Sequence, residues 1–363
     1  MKRIWTRAAA AAALCAVLLS GCSFSSEILS DHSAPADPLT GQALQYPGER
    51  AAAVVIDNAP ASTVQWGIGS ASVVLEAQTE ADAPTSLCLA YPAVSTMPTV
   101  GPVTLGQDLY WRLLSGQQVL PIQRGCDLYT RNFLDYWNLR AVDALETGRN
   151  AFTTGNTDWA SPLWCTSGQS VAKVLGSLSL SSALSEDPAE SADSTQEGDT
   201  PAVPTVPALL PQQTDGHLPD ADVADAVQAA VQFPSGSTTR FAYDTDTGTY
   251  GMLHNDGTPQ LDANTGTQAA FDNLLVLYSA STPRDDGRTL DYDLTMGGGL
   301  WLNGGHLWHI TWTQGTGSTF AFYDADGRPL RILSGRSYIA WLSSLTGEEV
   351  TVQDSAGNDL LQP

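Results

Sequence analysis

Apolar and polar positions divide the chain into stretches with different periods. Met1 to Arg7 is basic, and Ala8 to Leu19 is an unbroken apolar run that ends in Leu19-Ser20-Gly21-Cys22. Further on, Ala52 to Ile56, Ser72 to Ala77 and Ser86 to Tyr91 are short apolar runs bounded by turn residues, the pattern of buried strands. Leu105, Leu109 and Leu113 recur at helical spacing before Ser115-Gly116, which predicts a helix with a glycine stop. Val119 to Ile122 predicts a returning strand, and Ser170 to Leu178 a second helix. Strands and helices mixed in this way predict an N-terminal α/β layer.

In the second half, Val223, Val227, Ala230 and Val231 predict one amphipathic helix with Asp220 near its cap. The period then changes to two. Phe241-Ala242-Tyr243 runs into Asp244 to Gly248, Phe320 to Tyr323 runs into Asp324 to Gly327, and Leu300 to Leu302 turns through Asn303-Gly304-Gly305 into His306 to Trp312. Each predicts a hairpin. Tyr338 to Trp341 and Val350 to Val352 are further strands by the same pattern, and Gly297-Gly298-Gly299 predicts a turn at a strand edge. The expected class is α+β, with a mixed N-terminal α/β domain over 47–180 and a mainly antiparallel C-terminal domain with one helix over 217–363. Between them, 181–216 is rich in Ser, Glu and Asp and then in Pro, which predicts a disordered linker.

The opening 21 residues read as a secretory signal. Its twelve apolar residues span only about 18 Å as a helix, short of a hydrocarbon core of roughly 30 Å. Leu-Ser-Gly-Cys looks like a bacterial lipobox, which implies a diacylglycerol on the thiol of Cys22 with acyl chains such as palmitate, cleavage before it and a mature chain that begins there; one acyl chain holds a protein only marginally, whereas two give stable anchoring. Residues 22–46 then read as a flexible tether, and the expected location is the extracytoplasmic face of the cell membrane.

The formal charge of the 363 residues is −23, and loss of Lys2, Arg3 and Arg7 with a leader takes it to −26. Lys173 would then be the only lysine, too little cation for a phosphate backbone, so nucleic acid is excluded as a partner. The expected partners are the membrane, through the lipid on Cys22, and an envelope ligand or protein. Cys88, Cys126 and Cys165 leave room for one disulfide and one thiol, with Cys88 in Leu87-Cys88-Leu89 reading as a buried hydrophobe.

Catalytic motifs for serine hydrolases, zinc peptidases, nucleotide-binding loops and dinucleotide folds are missing from the sequence. His306 and His309 alternate onto opposite faces of one strand and cannot close on one metal. Asp244-Thr245-Asp246 and Asp324-Ala325-Asp326 resemble the start of a calcium loop, but their glycines come too early, and turn chemistry explains them. No cofactor or metal is expected. Asp57, Glu76 and Asp108 are the carboxylates available for acid/base work.

Read in order, Asp37-Pro38-Leu39-Thr40-Gly41, Val55-Ile56-Asp57-Asn58, Ala71 to Ala77 with Glu76, and Gly101-Pro102-Val103 resemble the YerB-like bacterial lipoproteins. The second half agrees through Tyr243-Asp244 to Tyr250, Gly257-Thr258-Pro259 to Asp262 with Thr265-Gly266, and Phe322-Tyr323-Asp324 to Gly327. The resemblance implies a two-domain α+β fold, a lipid-anchored location and no assigned biochemical activity. The chain departs from the family pattern where two arginines are replaced by Thr104 and Gln107, and where a Pro-His-Asn run gives way to Ser161 to Ser167 with Leu163 and Trp164. Loss of two guanidiniums and an imidazole shifts the expectation from catalysis to apolar or carbohydrate binding, or to a scaffold role. The candidate pocket residues are Asp57, Asn58, Glu76, Asp108 and Trp164. The alternative is an envelope hydrolase of carbohydrate or cell-wall polymer that uses the first-domain carboxylates.

Overall fold

The computed structural model describes residues 35–59, 64–155, 162–185, 204–216, 218–315, 317–345 and 349–361. The signal, Cys22 and residues 186–203 of the expected linker lie outside the described residues. The fold is mixed α+β, with a sheet-rich C-terminal region.

Its centre is a twelve-stranded sheet to which both halves of the chain contribute. Val73–Ala77 and Ser337–Ser343 lie side by side and parallel, with Val73 opposite Ser337 and Glu76 opposite Ala340. Every residue of these two strands is buried, which is why they read as near-continuous apolar runs and not as alternating ones. On one side Val73–Ala77 pairs with Ser86–Tyr91, which pairs with Ala52–Asp57, then Leu120–Gln123. On the other side Ser337–Ser343 pairs with Asn273–Ser279, followed by Met296–Asn303, His306–Gln314 and Phe320–Tyr323.

Side chains alternate across this sheet and build two cores. The first face holds Val54, Ile56, Val74, Leu89, Tyr338 and Ala340; the second holds Val55, Leu75, Trp301, Trp312, Ile339 and Trp341. A five-stranded antiparallel sheet covers the first face, bringing Val231, Phe241, Tyr250 and Phe271 against it. Phe241 and Tyr338 meet with ring centroids 4.6 Å apart. The helix Asp108–Leu113 covers the second face through Leu109, Tyr110, Trp111 and Leu113.

Several expectations are corrected. The helix through Val223, Val227, Ala230 and Val231 is instead two strands, Val223–Ala224 and Gln228–Gln232. Asp225 stands at φ 66°, a conformation a helix cannot continue through, and Gln228–Gln232 fills the gap between Thr238–Asp244 and Glu349–Gln353. A partner strand on each side outweighs helical spacing. Leu105 precedes its helix and is exposed, because the helix starts only at Asp108. The glycine run is not a turn but part of Met296–Asn303: a Cβ on Gly297 would lie 1.8 Å from the Tyr278 carbonyl oxygen. The helix Leu128–Tyr136 went unread; Asp127 caps it by accepting a 2.7 Å hydrogen bond from the Thr130 N–H.

Where described, the expected tether and linker are folded parts of the body. Asp37 Oδ1 accepts from the N–H groups of Leu39 and Thr40, and this turn buries Leu39 completely. Leu209 and Leu210 are fully buried at the far end of the linker, and Gln212–Gln213 pairs with Ile332–Leu333. A few apolar residues in a polar stretch are enough to dock it. Cys88, Cys126 and Cys165 are free thiols, with Cys88 buried between strands as its neighbours predict.

Candidate functional site

Glu76 is a carboxylate placed wholly inside the first core. Its strand alternates it onto the same face as Val74, under the five-stranded sheet, and leaves it 0 % exposed. A bare buried carboxylate costs several kcal/mol, so its partners decide whether the fold tolerates it. It has four. Oε1 accepts from Asn58 Nδ2 at 2.9 Å and Thr85 Oγ1 at 2.7 Å; Oε2 accepts from Thr239 Oγ1 at 2.8 Å and Tyr338 Oη at 2.5 Å. Burial raises the pKa of Glu76, and these four hydrogen bonds oppose the rise.

Two of the donors, Asn58 and Thr239, form the base of a cleft of about 410 Å³ that opens between the strand end at Asp57 and the five-stranded sheet. Ser237, His254, Asp256 and Gln260 also line it. Asn58 is held from both ends, because its Oδ1 accepts from Gln65 Nε2 at 3.1 Å. Gln260 is 3 % exposed, yet its Nε2 has no hydrogen-bond partner among the described residues, and neither does Oε1 of the buried Gln65. An unmet buried polar atom costs about 1–3 kcal/mol. The walls present amides, hydroxyls, one imidazole and the Asp256 carboxylate, which is chemistry for holding a polar ligand by hydrogen bonds.

Of the residues singled out from sequence, the structure brings Asn58 and Glu76 together and separates the rest. Asp57 falls in step with Val55, on the second face, and its Oδ1 accepts from the Ala59 N–H at 3.0 Å. Asp108 starts the helix on that second face and is matched by Arg284 at 2.7 Å, with Arg112 at 3.7 Å. Trp164 is half-buried beside the Gly101 turn: Val103 N–H donates to its carbonyl, and the Arg124 guanidinium stands 5.8 Å from its ring centroid. Sequence reading missed Thr239, Gln260 and Arg124. No local signal marks Thr239, which reaches Glu76 from 163 residues away. Arg124 was legible only as a cation; it follows the strand Leu120–Gln123, and its backbone N–H donates to the Thr104 carbonyl.

The glycine of Gly101-Pro102-Val103 has a packing reason: a Cβ there would lie 2.7 Å from Cys165 Sγ and from the Trp164 carbonyl oxygen. Burial pushes the Cys165 thiol up to about 11, so it stays protonated and inert at neutral pH. His309 pairs with Asp222 at 3.1 Å on the exposed side of its strand.

Two family descriptions match the chain: "Protein of unknown function (DUF3048) N-terminal domain" over residues 39–180, and the C-terminal domain of the same family over 229–339. A crystal structure of the YerB protein from Bacillus subtilis is similar with a TM-score of 0.70, covering 87% of this chain and 99% of that one at 20% identity, a likeness of fold. No curated protein matches.

Proposed function

Since the chain belongs to the DUF3048, YerB-like family, we propose that it is a lipoprotein anchored by acyl chains on Cys22 at the outer face of the cell membrane, where it works by binding. The address rests on sequence: a basic start, twelve apolar residues and Leu-Ser-Gly-Cys. No described helix is long and apolar enough to cross a membrane, so attachment by lipid is the route the sequence offers.

The observation that carries the binding reading is the state of Glu76. Both its oxygens are taken by four protein donors, and it acts as a fixed post that orients Asn58 and Thr239 at the base of the cleft. Hydrolysis by paired acids needs two carboxyl groups facing one bond, about 5–10 Å apart. Glu76 and Asp108 lie on opposite faces of the sheet, and Asp108 is neutralised by Arg284. The cleft therefore favours a ligand with hydrogen-bonding groups, held and not cut.

Fractionation of cells that make the full chain tests this. The chain is expected in the membrane fraction and open to protease added to whole cells, while Cys22→Ala releases it from the membrane. Incubated with purified cell-wall polymer, it is expected to liberate no soluble fragments. Fragments that disappear with Asp57→Asn or Asp108→Asn would establish the hydrolase reading instead.

A further inference from the structure

A second concave site lies on the other side of the molecule, beside the helix Leu128–Tyr136. Thr130 and Leu134 turn inward, so the remaining face points to solvent and leaves Tyr136 81 % and Trp137 61 % exposed. A large apolar ring in water forgoes about 1.5–3 kcal/mol of burial, and such exposure next to a cavity marks a binding surface. The indole is also held: Phe133 is 6.4 Å from it, and Tyr136 meets it edge-on at 5.3 Å with planes at 82°. It forms one wall of a groove of about 960 Å³ whose other side carries Tyr292 and Leu294.

We propose that this groove binds a neutral saccharide chain, with Trp137 as the stacking platform. Three observations select that class. The groove's arginine is already taken, Arg112 by Asp291 at 2.8 Å, with Arg284 on the same carboxylate at 3.0 Å, and Asp293 adds a further carboxylate to the lining, so no cation is left for a polyanion, and a chain of net charge −23 repels one. Gln314 lines the groove, with its Nε2 buried and without a hydrogen-bond partner among the described residues, and Ser115 and Ser318 place hydroxyls 2.7 Å apart in the same lining. A sugar ring offers what fits both features: an apolar C–H face for the indole and hydroxyl oxygens for the amide. An acyl chain would leave that amide unmet. The volume is at the upper end for small-ligand sites, enough for several sugar units. This site is separate from the cleft above Glu76 and does not rest on how that cleft is read.

The test uses the full chain in detergent, titrated with tetramers of N-acetylglucosamine and of glucose to about 10 mM, well above a dissociation constant of 1 mM. The readout is the indole N–H resonance of Trp137, identified by its loss in Trp137→Phe. The expected result is a saturable shift with at least one tetramer. Binding by the Trp137 variants, which lack that resonance, is read by isothermal titration calorimetry: Trp137→Ala should weaken it by about tenfold or more and Trp137→Phe less, both with an unchanged melting temperature because the ring is exposed, and Gln314→Ala should weaken it several-fold. The proposal is overturned if neither tetramer moves the resonance, if Trp137→Ala binds as well as the parent, or if the resonance responds only to protein concentration, which would make a second copy the occupant.

Discussion

Tyr338 donates its hydroxyl to Glu76 Oε2 over 2.5 Å, a bond between residues 262 positions apart that ties the C-terminal half of the sheet to the N-terminal half. Thr239 joins the same oxygen from the covering sheet, so one carboxylate fastens three parts of the chain. Tyr338→Phe is expected to cost about 1–3 kcal/mol, since it removes a donor from a buried charge. Glu76→Ala is expected to cost more, about 3–5 kcal/mol, because it orphans four donors. In denaturant unfolding the double variant should lose little beyond Glu76→Ala alone. Simple additivity would show that the two do not interact.

The raised pKa of Glu76 fixes the sign of a pH effect. A carboxyl whose folded pKa lies above its unfolded value binds its proton more tightly when folded. Its stabilising contribution is complete below the ordinary glutamate range, about 4.3, and is lost as pH rises through the higher folded value. The stability of the parent relative to Glu76→Gln should therefore fall from about pH 4 towards neutrality. A difference that stays flat, or rises with pH, would contradict the assigned environment.

Neighbouring glycines in Met296–Asn303 should answer differently to alanine. At Gly297 a Cβ meets the Tyr278 carbonyl oxygen at 1.8 Å, and that carbonyl belongs to the fully committed strand next door; at Gly298 nothing lies within 4 Å. Gly297→Ala is expected to cost about 3 kcal/mol or more, and Gly298→Ala to stay within about 0.5 kcal/mol of the parent in thermal unfolding. Equal effects would refute the close approach.

Leu209 and Leu210 are expected to matter as core residues do. Each is fully buried, so truncation to alanine should cost about 2–5 kcal/mol and open the segment to limited proteolysis. Protease sensitivity equal to the parent would mean that this stretch is only draped on the body.

Most strands were legible because their burial pattern is local. Ala52–Asp57, Val73–Ala77, Ser86–Tyr91 and the three Asp- or Asn-turn hairpins announce themselves by apolar runs or by period two. Gln228–Gln232 was not, since Ala and Val at helical spacing fit either element and only the strands on both flanks decide it. Leu39, Leu209 and Leu210 were misread because single apolar residues in polar sequence carry no period. Of the residues around the candidate cleft, Asn58 and Glu76 were named from sequence, whereas Thr239 and Tyr338 are partners assembled by topology alone. The pairing of the two halves through Val73–Ala77 and Ser337–Ser343 is a long-range contact that no window of sequence contains.

The proposed anchoring rests on one side chain, so the most direct measurement is intact-mass and peptide mass spectrometry of the chain purified from its own cells. The predicted result is a mature protein that begins at Cys22 and carries a thioether-linked diacylglycerol with further acylation at its amino end. An unmodified Cys22 thiol, or residues 1–21 still attached, would contradict it.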